Sequence, residues 1–185
     1  LFSRLTASPA TGTDLWRVSP ASLDRAIDAS ADYLINMLRE DGSFTYRINL
    51  DPTVKVPAKY NMLRHAGTMY ALGMYHGMGP QDERIRDVLT RSGSFLRAQI
   101  DAIPGHDELL AVWSRAAVER GGDEDEAKLG GTGLGLVALL TLERIAPGSI
   151  PLEELRSLAR FLCHMQKADG SFYSKYVPSR GGRDD

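Results

Sequence analysis

Five polar residues crowd into "KYNMLRHAG", 59–67: Lys59, Tyr60, Asn61, Arg64 and His65. Together they suit a polar, acidic small molecule. An Arg guanidinium holds a carboxylate through two parallel hydrogen bonds, His moves a proton near neutral pH, and a Tyr ring offers a stacking face. Arg and His are costly in the apolar stretch that follows unless a partner or ligand satisfies them. At the start of a helix they would also stand beside free N–H groups that favour an anion. Acid–base work on a sugar needs two groups facing across a pocket. The catalytic candidates are His65, Asp41 and Asp169; the substrate-holding candidates are Arg64, Tyr60, Asn61, Lys128 and Trp113. Each has a structural counterpart reading. Asp41 and Asp169 open Asp-Gly-Ser turns, where Asp commonly caps backbone N–H groups. Arg64 and His65 suit an internal network, and Tyr60 and Trp113 suit a core.

Other constellations carry less. "DEDEA", 123–127, reads as a solvated acidic loop, with Glu119 just before it. "KLGGTGLG" fits neither the phosphate-loop spacing nor the dinucleotide one. The single cysteine, Cys163, excludes an internal disulfide and a cysteine-rich zinc site. Neither a metal nor a cofactor is expected.

These residues must be positioned by helices. "YLINMLREDGSF", 33–44, returns as "FLCHMQKADGSF", 161–172, and Phe95-Leu96 falls in the same register between them. "LRHAGTMYAL" from Leu63 and "LGGTGLGLVAL" from Leu129 give the same period of 66 residues. The stripes Leu23-Ile27-Leu34-Leu38, Ile85-Val88-Phe95-Leu96 and Leu155-Leu158-Leu162-Met165 predict amphipathic helices. Ser19-Pro20 supplies an N-cap and a first-turn proline for the first of them. Segments 61–76 and 133–145 are apolar nearly all round, which predicts helices buried on every side. Strict alternation of the two kinds predicts outer and inner helices in a ring of hairpins. The links "GMGP" and "APGSIP" are short, whereas links 40–60 and 101–128 are long, with strand-like alternation from Phe44 to Leu50. All long links would then share one rim, where a site is expected.

The stretch Phe161-Leu162-x-x-x-Gln166-x-x-x-Gly170-x-Phe172 resembles the "QW" repeat of terpenoid cyclases and their relatives, with Phe172 in place of Trp. The copy at Tyr33 has Leu38 where Gln166 stands, and the copy at Phe95 lacks Asp-Gly-Ser-Phe. Similar turns occur in the six-hairpin glycosidase and sugar-epimerase toroids. The resemblance implies an all-α fold, an α/α toroid with short strands in its long loops. The chain supplies two outer–inner hairpins and a third outer helix, an incomplete ring. The remaining hairpins are expected from a longer chain or a homo-oligomer.

Residues 19–178 are thus expected to form a partial toroid, with an N-terminal extension over 1–18 and a disordered tail over 179–185. The expected function is that of a carbohydrate-active enzyme, a hydrolase or epimerase acting on a small or sugar substrate. A terpenoid cyclase-like enzyme, with Asp125 in its acid motif, and a non-catalytic binding or scaffold domain are the alternatives. A net charge of −2 gives no basic footprint for nucleic acid. The longest apolar run, 129–142, falls short of the ~20 residues of a membrane span. The opening "LFSRLTASPATGTDL" lacks the apolar stretch of a secretory signal, so a cytoplasmic location is expected.

Overall fold

The computed structural model describes residues 19–79 and 82–185. The expected extension over 1–18 and Pro80 of "GMGP" lie outside the described residues. Contacts divide the chain into two compact units, Leu1–Tyr33 and Leu34–Asp185. Helix α1, Pro20–Asn36, lies in the first unit up to Tyr33 and opens on Ser19 as the sequence predicts. Ser19 and Ser22 cap each other: the Ser22 N–H donates to Ser19 Oγ at 3.2 Å and the Ser19 N–H to Ser22 Oγ at 2.9 Å.

The second unit holds α2 (Met62–Met78), α3 (Glu83–Arg97), β1 (Ile100–Ile103), β2 (His106–Ser114) and α4 (Ala116–Glu119). It continues with β3 (Glu126–Lys128), α5 (Leu129–Ile145), α6 (Leu152–His164), β4 (Lys175–Val177) and β5 (Gly182–Asp184). The five strands form one antiparallel sheet in sequence order.

The five predicted helices therefore form, but the all-α toroid is corrected to a mixed α/β fold. Ile103, Leu109, Ala111, Trp113 and Ala127 of the sheet close a buried cluster with Phe161 and Met165 of the α6 hairpin. The long link and the chain beyond Phe172 thus bury apolar surface as strands, and α6 packs its apolar face on them. Nor is the tail frayed. Residues 182–184 pair with β4, Val177 opposite Gly182 and Lys175 opposite Asp184. The alternation from Phe44 to Leu50 builds no strand; it leaves one isolated bridge, Leu38 to Phe44.

The inner pair does meet. A Cβ on Gly67 would touch Leu134 and one on Gly77 would approach Arg144. One on Gly73 would overlap Thr141 Cγ2 outright. These contacts climb both helices in the same direction, so α2 and α5 run parallel, offset by nearly the sequence period. Burial on every side is corrected, however: Leu63, Met74 and Met78 of α2 and Val137 and Leu140 of α5 are exposed. Among the described residues no helix is long and apolar enough to cross a membrane.

Candidate functional site

The repeated phrase folds into two equivalent hairpins. Asp41 Oδ1 accepts the Ser43 N–H at 2.9 Å and the Ser43 hydroxyl at 2.6 Å. Asp169 Oδ1 accepts the Ser171 N–H at 3.0 Å and the Ser171 hydroxyl at 2.7 Å. Gly42 and Gly170 share a left-handed φ, 83° and 87°, that a side chain would oppose. Each Asp is a turn-former of the same kind. The hydroxyl of Ser43 holds the Asp41 carboxyl below the usual range, with the charge of Arg39 a smaller contribution. Asp41 is therefore ionised near neutral pH.

The surroundings of the two hairpins differ. The first sits on α3: a Cβ on Gly42 would strike the Arg91 carbonyl, and Arg91 Nη2 donates to the Arg39 carbonyl at 2.9 Å. Among the described residues nothing lies within 4 Å of such an atom on Gly170. Asp41 lines a cleft of about 380 Å³, and Asp169 does not.

Phe95 of α3 lines that cleft, and its polar and charged lining comes from three further segments. The first hairpin and its extension bring Arg39, Asp41, Ser43, Tyr46 and Arg47; the link into α2 brings Lys59 and Tyr60; the end of α4 brings Arg120. Glu119 fastens the last two together. Its carbonyl accepts the Tyr60 N–H at 2.8 Å, and its carboxylate accepts the Met62 N–H at 2.7 Å and the Ser114 hydroxyl at 3.0 Å. A carboxylate on the first N–H groups of α2 satisfies a donor that the helix itself leaves open. Asn61 is the N-cap, its side chain accepting the Arg64 N–H at 2.9 Å. With Ser114, Glu119 and Lys128 it lines an adjoining cavity of about 210 Å³, which shares Lys59 and Tyr60 with the cleft.

His65 lies behind this wall, 2% exposed. Nε2 stands 2.9 Å from the Ser92 carbonyl, so it carries the proton and donates. Nδ1 is then the acceptor of a hydrogen bond that the Tyr60 hydroxyl donates at 2.7 Å, while Tyr60 Oη accepts the Phe44 N–H at 2.8 Å. Burial lowers the imidazole to a pKa of about 4 and raises the phenol to about 12. Both groups are neutral at pH 7, and both ring nitrogens are engaged. The expected catalytic role of His65 has no free nitrogen to work with.

The remaining candidates separate cleanly. The Arg64 guanidinium stacks on the Tyr46 ring, 5.1 Å from its centroid, rather than lining the cleft. Lys128 is neutralised by Glu119 at 3.4 Å and Glu126 at 3.0 Å. Trp113 is 5% exposed in the sheet core, edge-on to Tyr176, with Nε1 donating to the Asp101 carbonyl. Of the sequence candidates, Asp41 and Tyr60 reach the cleft.

Many surface cations are paired with carboxylates, whereas four without such a partner gather around the cleft. Arg97 is locked on Glu154 at 2.6 Å, Arg180 on Glu124 at 2.6 Å and Lys175 on Glu126 at 3.2 Å. Arg39, Arg47, Lys59 and Arg120, which all line the cleft, form no ion pair with a carboxylate among the described residues. Arg39, Arg47 and Arg120 carry no spacing that links them, so nothing in the sequence groups them. Among the described residues no cluster of three or more His, Cys, Asp or Glu could hold a metal ion. Comparison with family models, curated proteins and solved structures yields no match.

Proposed function

We propose that the chain recognises an acidic saccharide in the cleft formed by the first hairpin, the link into α2 and the end of α4. The observation that carries this reading is the set of unpaired cations, Arg39, Arg47, Lys59 and Arg120, around a cleft of about 380 Å³. That volume lies within the ~300–1,000 Å³ typical of small-ligand sites. Guanidinium groups match a carboxylate in shape and charge. Asp41 shares the cleft and stays ionised, so it would repel a bare anion yet accept hydroxyl protons. A ligand with one acid group and several hydroxyls satisfies both requirements. Tyr46 and Tyr60 add rings of the kind on which a sugar face stacks.

Recognition is better supported than turnover. Glycoside hydrolysis generally takes two carboxyl groups in unlike protonation states. Asp41 is the one carboxylate of this cleft among the described residues, and it is suited to accept a proton rather than deliver one. A cyclase reading has less: the cleft is cationic, and Asp125 accepts the Ala116 N–H at 2.8 Å with Arg115 beside it. Calorimetric titration with D-glucuronate and D-glucose at low and high salt tests the proposal. Glucuronate should bind, more weakly as salt rises, and glucose should not. Equal binding of the two, or none, would refute it.

A further inference from the structure

We infer that Arg120 is the residue that selects the ligand's acid group, an inference that rests on the acidic-saccharide reading of the cleft. Arg120 follows α4 with φ 51° and ψ 32°, and it is the one non-glycine residue with positive φ among the described residues. An L side chain disfavours this left-handed conformation, which glycine or asparagine usually fills after a helix. Glycine stands at the next two positions, Gly121 and Gly122, yet the strained position itself keeps an arginine. The backbone task there is generic: the Arg120 N–H returns to the Ala116 carbonyl at 2.9 Å.

The side chain is exposed, lines the cleft, and has no hydrogen bond or ion pair among the described residues. It offers the fold nothing to offset the conformation that it imposes. Strained residues of this kind gather at ligand clamps. The neighbouring residue, Glu119, holds the turn to Tyr60 and to the start of α2, so Arg120 projects from a fixed base. Its planar fork pairs with a carboxylate through two bonds, which a lysine cannot reproduce.

Arg120→Gly and Arg120→Lys, compared with the unmodified chain, test this by thermal melting and by titration with D-glucuronate and the uncharged D-glucuronamide. Arg120→Gly relieves the left-handed strain but frees the unfolded chain. Its Tm should therefore stay level or rise by up to about 3 °C. Its preference for glucuronate over glucuronamide should fall at least about tenfold, one bidentate charged contact being lost. Arg120→Lys should keep the charge and lose most of that preference. A lower Tm in Arg120→Gly would place the side chain in the fold and overturn the inference. So would an undiminished preference in Arg120→Gly while the unmodified chain binds glucuronate. An unmodified chain that binds neither probe would instead refute the acidic-saccharide reading, and the role of Arg120 with it.

Discussion

The Tyr60 hydroxyl lies 2.7 Å from His65 Nδ1, and this bond joins the wall of the cleft to the buried face of α2. It is one link of a chain in which the Phe44 N–H donates to Tyr60, Tyr60 to His65, and His65 to the Ser92 carbonyl. Three elements distant in sequence are thereby held in one arrangement. Aromatic contacts reinforce it, with Phe95 edge-on to Tyr60 at 5.6 Å and Phe44 5.3 Å from the His65 ring.

Tyr60→Phe removes one oxygen and leaves two groups without a partner, the Phe44 N–H and His65 Nδ1. Leaving buried polar groups unsatisfied costs about 1–3 kcal/mol. Urea denaturation should show a loss of that size with an unchanged slope. A variant as stable as the parent would show that the chain of bonds contributes nothing.

His65 makes stability depend on acid. Its folded pKa of about 4 lies below the ordinary 6.5, so the unfolded chain takes up a proton that the folded chain refuses. The contribution is whole above pH ~6.5 and is lost as pH falls towards ~4, amounting to about 3 kcal/mol. Asp41, the charged neighbour that raises the pKa, reduces the effect without reversing it. Denaturation midpoints measured across that window should fall steeply for the parent and more gently for His65→Gln. Some slope should remain from His164, also lowered by burial. Parallel slopes would contradict the buried, neutral assignment.

The two copies of the repeated phrase should respond unequally to the same change. Phe44 is 5% exposed and Phe172 is 44% exposed. Phe44→Ala should cost about 3–5 kcal/mol, whereas Phe172→Ala should stay within about 1 kcal/mol. Equal losses would mean that both hairpins are seated alike.

Glycines of α2 separate close approach from mere tolerance. A methyl group on Gly73 would overlap Thr141, whose hydroxyl is tied to the Val137 carbonyl at 2.9 Å. Gly73→Ala should therefore destabilise by about 1–3 kcal/mol. A methyl group on Gly67 would meet Leu134 at 3.4 Å, an ordinary contact. Gly67→Ala should be neutral or gain up to about 1 kcal/mol of helix propensity. Reversal of that order in thermal melting would place the α2–α5 contact elsewhere.

Helices α1, α3 and α6 were legible because their apolar residues recur at helical spacing, α2 and α5 because they are apolar nearly all round, and the hairpins because a whole phrase recurs. The sheet was not. β3, β4 and β5 have three residues each, too few for alternation to register. In β2, Ala111 to Ser114 are buried without a break, since both faces are covered, and the period-two signal vanishes. The site was half legible. Tyr60 and Asp41 could be picked by type and local pattern, but Arg64 and His65 beside them are turned to Tyr46 and to the core. Arg39, Arg47 and Arg120 meet only through the tertiary fold, which no spacing encodes.

The central claim is that the unpaired cations of the cleft bind an acid group. Arginine Nε–H resonances followed by NMR during titration with D-glucuronate test it most directly, because the chain carries its own control. Arg47 and Arg120 should shift in a saturable way, while Arg97, whose Nε–H is already bonded to Glu154 at 2.8 Å, should stay still. Shifts absent from the cleft arginines, or spread evenly over all of them, would contradict the account.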